Sequence, residues 1–141
     1  MGPEWQQGFR DDFDRCDLGE NWGTYAGSPG GNPVGSWDQS MVSIADGKLS
    51  LHADLTADGW LTGGVSNYPV TQTYGRWEIR MRADDSADLS YHMLLWPKNE
   101  QWPPEIDFAE SISSERGAMS AFVHWTDDGE NKKAQADIAG S

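Results

Sequence analysis

The chain has 141 residues, 37% of them apolar, with a mean hydropathy of −0.69. That length suggests one domain, 1–141, large enough to bury a core, and the composition excludes a stretch apolar enough to span a bilayer. Ten Lys and Arg against 23 Asp and Glu give a net charge of −13, which argues against nucleic acid and anionic membranes as partners, since both reward cations.

The same charge disfavours strongly anionic polysaccharides as substrates, because like charges repel on approach. Only Cys16 is present, so no internal disulfide is possible and packing alone must hold the fold. The N-terminus "MGPEWQQGFRDD" lacks the basic and apolar regions of a signal peptide, so either the protein stays inside or a leader has been removed or replaced. Eight Trp outnumber four Tyr and four Phe. An indole offers a broad apolar face and one N–H donor, which suits stacking on a sugar ring; the plainer use of Trp is as core filler.

In chain order the dominant period is two, that of strands. "FRDDFD" (9–14) reads as the first strand, and "SPGGNPVGS" (28–36) as a loop by composition. "MVSIADGKLSLHAD" reads as two strands around Asp46-Gly47, a pair that tolerates the positive φ angles of a two-residue hairpin turn. "GWLTGGVS" (59–66) is a further strand. In "YGRWEIRMRAD" Trp77, Ile79 and Met81 alternate with Glu78, Arg80 and Arg82, the pattern of a half-buried strand. "LSYHMLLWP", "EIDFAES" and "AMSAFVHW" read as strands, "KNEQWPP" and "TDDGENKK" as loops, and the tail "KKAQADIAGS" leans to strand. No helix is convincing. About eight short strands with regular turns predict an all-β antiparallel sandwich or barrel.

The chemistry concentrates in "WPPEIDFAES" (102–111), where Glu105, Asp107 and Glu110 fall within six positions. Pro103 and Pro104 cannot donate to a ladder, so the strand begins near Glu105. Alternation puts Glu105 and Asp107 on one face, and Glu110 has the wrong parity. One β-bulge, with small Ala109 a plausible occupant, returns Glu110 to that face. Three carboxylates would then share one face over about 13 Å, at roughly 3.3 Å per residue and four effective steps. A retaining glycosidase needs two carboxyl groups about 5–5.5 Å apart, one ionised to attack and one protonated to release the leaving oxygen. Crowded like charges push at least one pKa upward, which provides that split.

The plainer alternative is a solvated acidic strand face, although no Lys or Arg occurs between Lys98 and Arg116 to balance it. Calcium binding is a third reading: oxygen ligands are present, but no liganding loop pattern is.

"WPPEIDFAES" resembles the active-site strand of glycoside hydrolase family 16, in its bulged Glu-x-Asp-x-x-Glu branch. "FRDDFD", "DGKLSLHA" and "YGRWEIRMRA" are similar to the family's early strands; "LLWP" precedes the acidic strand and "FVHW" follows it, so the resemblance runs from about Phe9 to Trp125. It implies a concanavalin-like β-jelly-roll sandwich, and endo-acting retaining hydrolysis of a β-glycosidic polysaccharide, most of all β-1,3-glucan of the laminarin type, without a required cofactor. It also implies an extracellular full-length protein. Carried over by position, Glu105 is the nucleophile, Asp107 its helper and Glu110 the acid/base; Trp96, Trp102, His124 and Tyr91 are the implied substrate contacts.

Trp96 can equally be core, and His124 can merely hydrogen-bond a neighbouring strand. "SYHMLLWP" stands where many glucanases of the family carry an aromatic-rich Trp-Pro-x-Phe-Trp-type run. Single all-β sandwich domains routinely run to about 200–250 residues. The expectation is therefore an N-terminal portion of the catalytic domain, incomplete as a jelly roll, with a compact natural form as the other reading. A non-catalytic carbohydrate-binding sandwich and a purely structural jelly roll are the functional alternatives.

Overall fold

A computed structural model describes residues 4–29, 35–111 and 117–139. The chain is all-β, as the two-residue period predicts; the one helical feature among these residues is a single 3-10 turn, Gln39–Met41. Two compact units, Met1–Tyr74 and Gly75–Ser141, divide it.

Among the described residues the first unit contains seven short strands: β1 (Gly23–Thr24), β2 (Gly35–Trp37), β3 (Val42–Ala45), β4 (Lys48–Leu51), β5 (Ala53–Thr56), β6 (Gly59–Thr62) and β7 (Val65–Ser66). They pair as β1–β7, β3–β4 and a three-stranded sheet β2-β6-β5. All described pairs are antiparallel except β2 with β6. The expected hairpin is present: Ala45 pairs with Lys48 across Asp46 and Gly47, whose φ angles are 52° and 67°. The expected single strand 59–66 is broken into β6 and β7 at Gly63 and Gly64. A Cβ on Gly63 would lie 2.4 Å from the Met41 carbonyl oxygen, so only glycine admits that close backbone approach. Of the 28–36 loop, residues 30–34 lie outside the described residues, and Gly35 and Ser36 already belong to β2.

"FRDDFD" is not a strand. Asp11 accepts hydrogen bonds from the Phe13 N–H at 2.9 Å, from Arg15 at 2.6 and 2.7 Å, and from Trp22 Nε1 at 2.8 Å. Phe13 takes a φ of 56° as the chain folds around that carboxylate. Local side-chain bonds to Asp have won over a ladder here.

The second unit is one antiparallel meander of β8 (His92–Leu95), β9 (Glu105–Glu110), β10 (Ala118–Asp127) and β11 (Glu130–Ala139), in spatial order β11-β10-β9-β8. Two expectations change in it and one holds. Residues 75–86 form no strand despite their alternation, and Trp77, Ile79 and Met81 are 39%, 52% and 38% exposed. Alternation favours a half-buried strand only where a neighbouring edge accepts its backbone, and no ladder partner for 75–86 occurs among the described residues. "TDDGENKK" is not a loop but the tip of the β10–β11 hairpin, turning at Asp128 (φ 49°) and Gly129 (φ 78°). The tail strand is present and runs to Ala139, with Gly140 and Ser141 outside the described residues.

Buried hydrophobic residues among those described are few: Ile44 in the first unit, Ala109 and Phe122 in the second. The last two lie on β9 and β10, so this meander holds the acidic strand from both sides.

Candidate active site

The acidic segment forms its strand where the sequence places it, directly after Pro104. The bulge is also present, one residue from its expected place. Against β10, Asp107 pairs with Phe122 and Glu110 with Ser120, so β9 spends three residues where β10 spends two. Against β8, Asp107 pairs with Leu94 and Ala109 with Met93, which leaves Phe108, not Ala109, as the residue without an opposite number. Ala109 is instead 7% exposed, a small side chain buried behind the strand. The consequence for parity is the one expected: Glu105, Asp107 and Glu110 line one shallow cleft, together with Phe122, His124 and Lys133.

Cross-strand register sorts the cleft floor into three rows. Lys133, His124 and Glu105 form the first, Gln135, Phe122, Asp107 and Leu94 the second, and Asp137, Ser120, Glu110 and His92 the third. Each carboxylate therefore has its own neighbours. Glu105 accepts a hydrogen bond from Trp102 Nε1 at 2.7 Å, and the Trp102 ring lies 5.7 Å from the His124 ring. Glu110 meets His92, with Nδ1 at 2.5 Å from Oε1, and His92 Nε2 lies 2.8 Å from Ser90 Oγ. Beside Glu110, Ser120 turns its hydroxyl away to donate to Asp137 at 2.8 Å.

Asp107 sits between the two glutamates and is the most deeply buried of the three, 3% exposed. Its Oδ2 lies 3.3 Å from His124 Nε2, while Oδ1 is buried without a hydrogen-bond partner. Burial pushes its pKa up to about 6, helped by the negative fields of Glu105 and Glu110 and by a hydrogen bond to Glu105; His124 opposes the shift. A carboxyl that keeps its proton through the mildly acidic range can donate to a neighbouring carboxylate, which an ionised Asp cannot.

Phe122 stacks with the His124 ring at 6.2 Å and carries Lys133 Nζ 5.1 Å above its own ring. Ligand atoms of Glu105, Asp107 and His124 lie within 4.8 Å of one another, so among the described residues these three side chains are the group that could hold a cation.

Trp102 and His124 are thus brought to the acidic cluster, at its Glu105 end. Trp96 and Tyr91 do not line the cleft. The Trp96 indole donates to Glu100 at 2.8 Å, and the Tyr91 carbonyl accepts from the Ser111 N–H at 3.1 Å. Sequence reasoning missed His92 and Lys133 as neighbours of the cluster. His92 becomes visible only once "HMLL" is paired antiparallel with a bulged "EIDFAE", and Lys133 only once its polar segment is recognised as a strand.

A family model described as "Glycosyl hydrolases family 16" matches residues 32–139. The chain is similar to two proteins of Rhizobium meliloti (strain 1021). One, "Endo-1,3-1,4-beta-glycanase ExsH", is 27% identical over 105 residues, covering 70% of this chain and 23% of that protein. The other, "Endo-1,3-1,4-beta-glycanase EglC", is 25% identical over 108 residues, covering 75% and 23%. The chain thus spans less than a quarter of the length of either relative. No solved structure matches it significantly.

Proposed function

The chain belongs to glycosyl hydrolases family 16, and from that premise we propose that it carries the catalytic carboxylates of an endo-acting, retaining β-glucan hydrolase. The observation that carries the reading is the bulge, which turns an awkward two-then-three spacing into three acids on one cleft face.

Glu105 is the nucleophile. Its carboxylate attacks the anomeric carbon while Glu110 protonates the departing glycosidic oxygen, leaving a glycosyl ester on Glu105. Glu110, now ionised, takes a proton from water as that water attacks the ester and frees Glu105 with β configuration restored. Asp107, kept protonated into the mildly acidic range, donates to Glu105 and holds its orientation. Trp102 fixes the other side of Glu105 and leaves its 45% exposed ring available for a sugar. Trp96 and Tyr91 would act at outer subsites, away from the carboxylates. No step in this sequence of events needs a metal or cofactor.

The substrate proposed is a β-glucan containing 1,3 linkages, with laminarin-type β-1,3-glucan first. The names of the two relatives favour mixed 1,3-1,4-glucan as the second reading. A polymer of this size does not enter cells, so the site of action would be extracellular. The rival function is a non-catalytic carbohydrate-binding sandwich, although a binder gains little from three crowded acids.

The test compares reducing-end release from laminarin and from mixed-linkage glucan, with proton NMR of the first anomer formed. The β-anomer should appear first, and Glu105→Gln should lower kcat by at least about a thousandfold. Binding by wild type and Glu105→Gln alike, with cleavage by neither, would leave only the binding module.

A further inference from the structure

The reaction proposed above uses Glu110 but assigns nothing to the side chains behind it. His92, on β8, faces Glu110 in register, and its two ring nitrogens are both engaged: Nδ1 with Glu110 Oε1 at 2.5 Å, and Nε2 with Ser90 Oγ at 2.8 Å. Glu110 is only 15% exposed and His92 49%, so the carboxyl is held within the cleft wall while the imidazole sits at its outer edge. Among the described residues, Glu110 shares its cleft with Glu105, Asp107, Phe122, His124 and Lys133, and it pairs on β10 with Ser120, whose hydroxyl is committed to Asp137 on β11.

We infer that His92 is a positioning residue for Glu110, set in its working tautomer by Ser90. An ionised Glu110 can only accept, so the ring proton sits on Nδ1 and Nδ1–H donates to Oε1, while Nε2 accepts from the Ser90 hydroxyl, which holds the ring in that tautomer. Oε1 is then the occupied oxygen in both protonation states of the carboxyl. Oε2 is left to carry the acid proton, on a side chain that lines the cleft. In the first step that proton passes from Oε2 to the glycosidic oxygen as the bond to the anomeric carbon breaks and its electron pair goes to the leaving oxygen. In the second step Oε2 takes a proton back from the attacking water. The opposite tautomer would put the Glu110 proton on Oε1, aimed at Nδ1 and away from the substrate. A side chain that orients a catalytic group through its second atom follows the logic by which a carboxylate orients the histidine of a hydrolase triad.

This inference rests on Glu110 being the acid/base, so the test separates the two. Wild type, Glu110→Ala, His92→Ala, His92→Asn and Ser90→Ala are compared on β-glucan and on a dinitrophenyl β-glycoside, whose leaving group needs little protonation. Glu110→Ala should lose far more kcat/KM on glucan than on the aryl glycoside; equal losses in kcat/KM would remove the acid/base reading itself. Given that signature, His92→Ala should lose about 10–100-fold in kcat/KM on glucan and about threefold or less in kcat/KM on the aryl glycoside, since that ratio reports the first step alone. His92→Asn, whose amide nitrogen can replace Nδ1–H, should recover most of the loss, and Ser90→Ala should show a milder version of it.

Equal losses on both substrates for His92→Ala, or no recovery in His92→Asn, would overturn the positioning role while leaving Glu110 in place. An activity-independent readout is the nitrogen-15 spectrum of the His92 ring. A neutral ring protonated at Nδ1 is expected, with Ser90→Ala shifting it towards the other tautomer. A ring protonated at Nε2 in the wild type would contradict the inference even if the chain cleaves nothing.

Discussion

Asp11 and Asp107 are both aspartates with almost no exposure, 8% and 3%, one in each compact unit, yet their surroundings drive their protons in opposite directions. Asp11 is met by the Arg15 guanidinium, the Phe13 N–H and the Trp22 indole, every one a donor. The Arg15 bonds, with the other two, hold its pKa far below the ordinary carboxylate range against the cost of burial. Asp107 is buried beside two more carboxylates, keeps one oxygen unpartnered, and has its pKa pushed up to about 6. The first arrangement is what a fold does to satisfy a buried charge. The second works against folding, and its persistence in the cleft is the physical reason to read it as functional.

That contrast can be broken first at Asp11. Removing a buried charge partner leaves Arg15, the Phe13 N–H and the Trp22 indole without their acceptor, so Asp11→Ala should lose about 3 kcal/mol at neutral pH, measured by urea unfolding. The pH dependence has a definite sign. A depressed carboxyl pKa contributes stability that is complete above its unfolded value, near 3.8, and fades as the pH falls below it. The difference between wild type and Asp11→Ala should therefore shrink on acidification.

Asp107→Asn should act in the other direction and by less. A buried carboxyl whose pKa rises from 3.8 to about 6 favours the folded state when protonated, so its contribution declines as the pH climbs from about 4 through about 6. Replacing it by a neutral amide should raise stability by about 1–3 kcal/mol at pH 7 and change it little near pH 4. The same substitution should lower kcat about 10–100-fold by disturbing Glu105, so stability and activity separate at this one position. A loss of stability at pH 7 would mean that Asp107 is satisfied in the way Asp11 is.

The same two regions mark how much the sequence makes legible. β9 can be read from alternation, from the two prolines ahead of it and from the parity of its acids, because each is a local property of the strand. The hairpin at Asp46-Gly47 is equally local. The identical Asp-Gly signal at 128–129 is masked by polar neighbours: β11 lies at the edge of its sheet and is exposed at nearly every position, so its composition imitates a loop. Residues 75–86 fail in the reverse way, since a good strand pattern needs a partner that composition does not reveal. "FRDDFD" conceals a carboxylate hub whose donors Arg15 and Trp22 lie 4 and 11 residues along the chain. His92, in the same way, belongs to the site only through a register shifted by the bulge.

The most direct test of the central claim, that the bulged strand presents a nucleophile at Glu105, is to trap it. A 2-fluoro β-glucosyl fluoride extended by one β-1,3-linked glucose slows both chemical steps, while its good leaving group keeps the first the faster, so a glycosyl ester accumulates. Digestion and mass spectrometry should find one fluoro-sugar on the peptide containing Glu105, and none in Glu105→Gln. Turnover of β-glucan without any such adduct, or an adduct carried by Glu110 instead, would contradict the account.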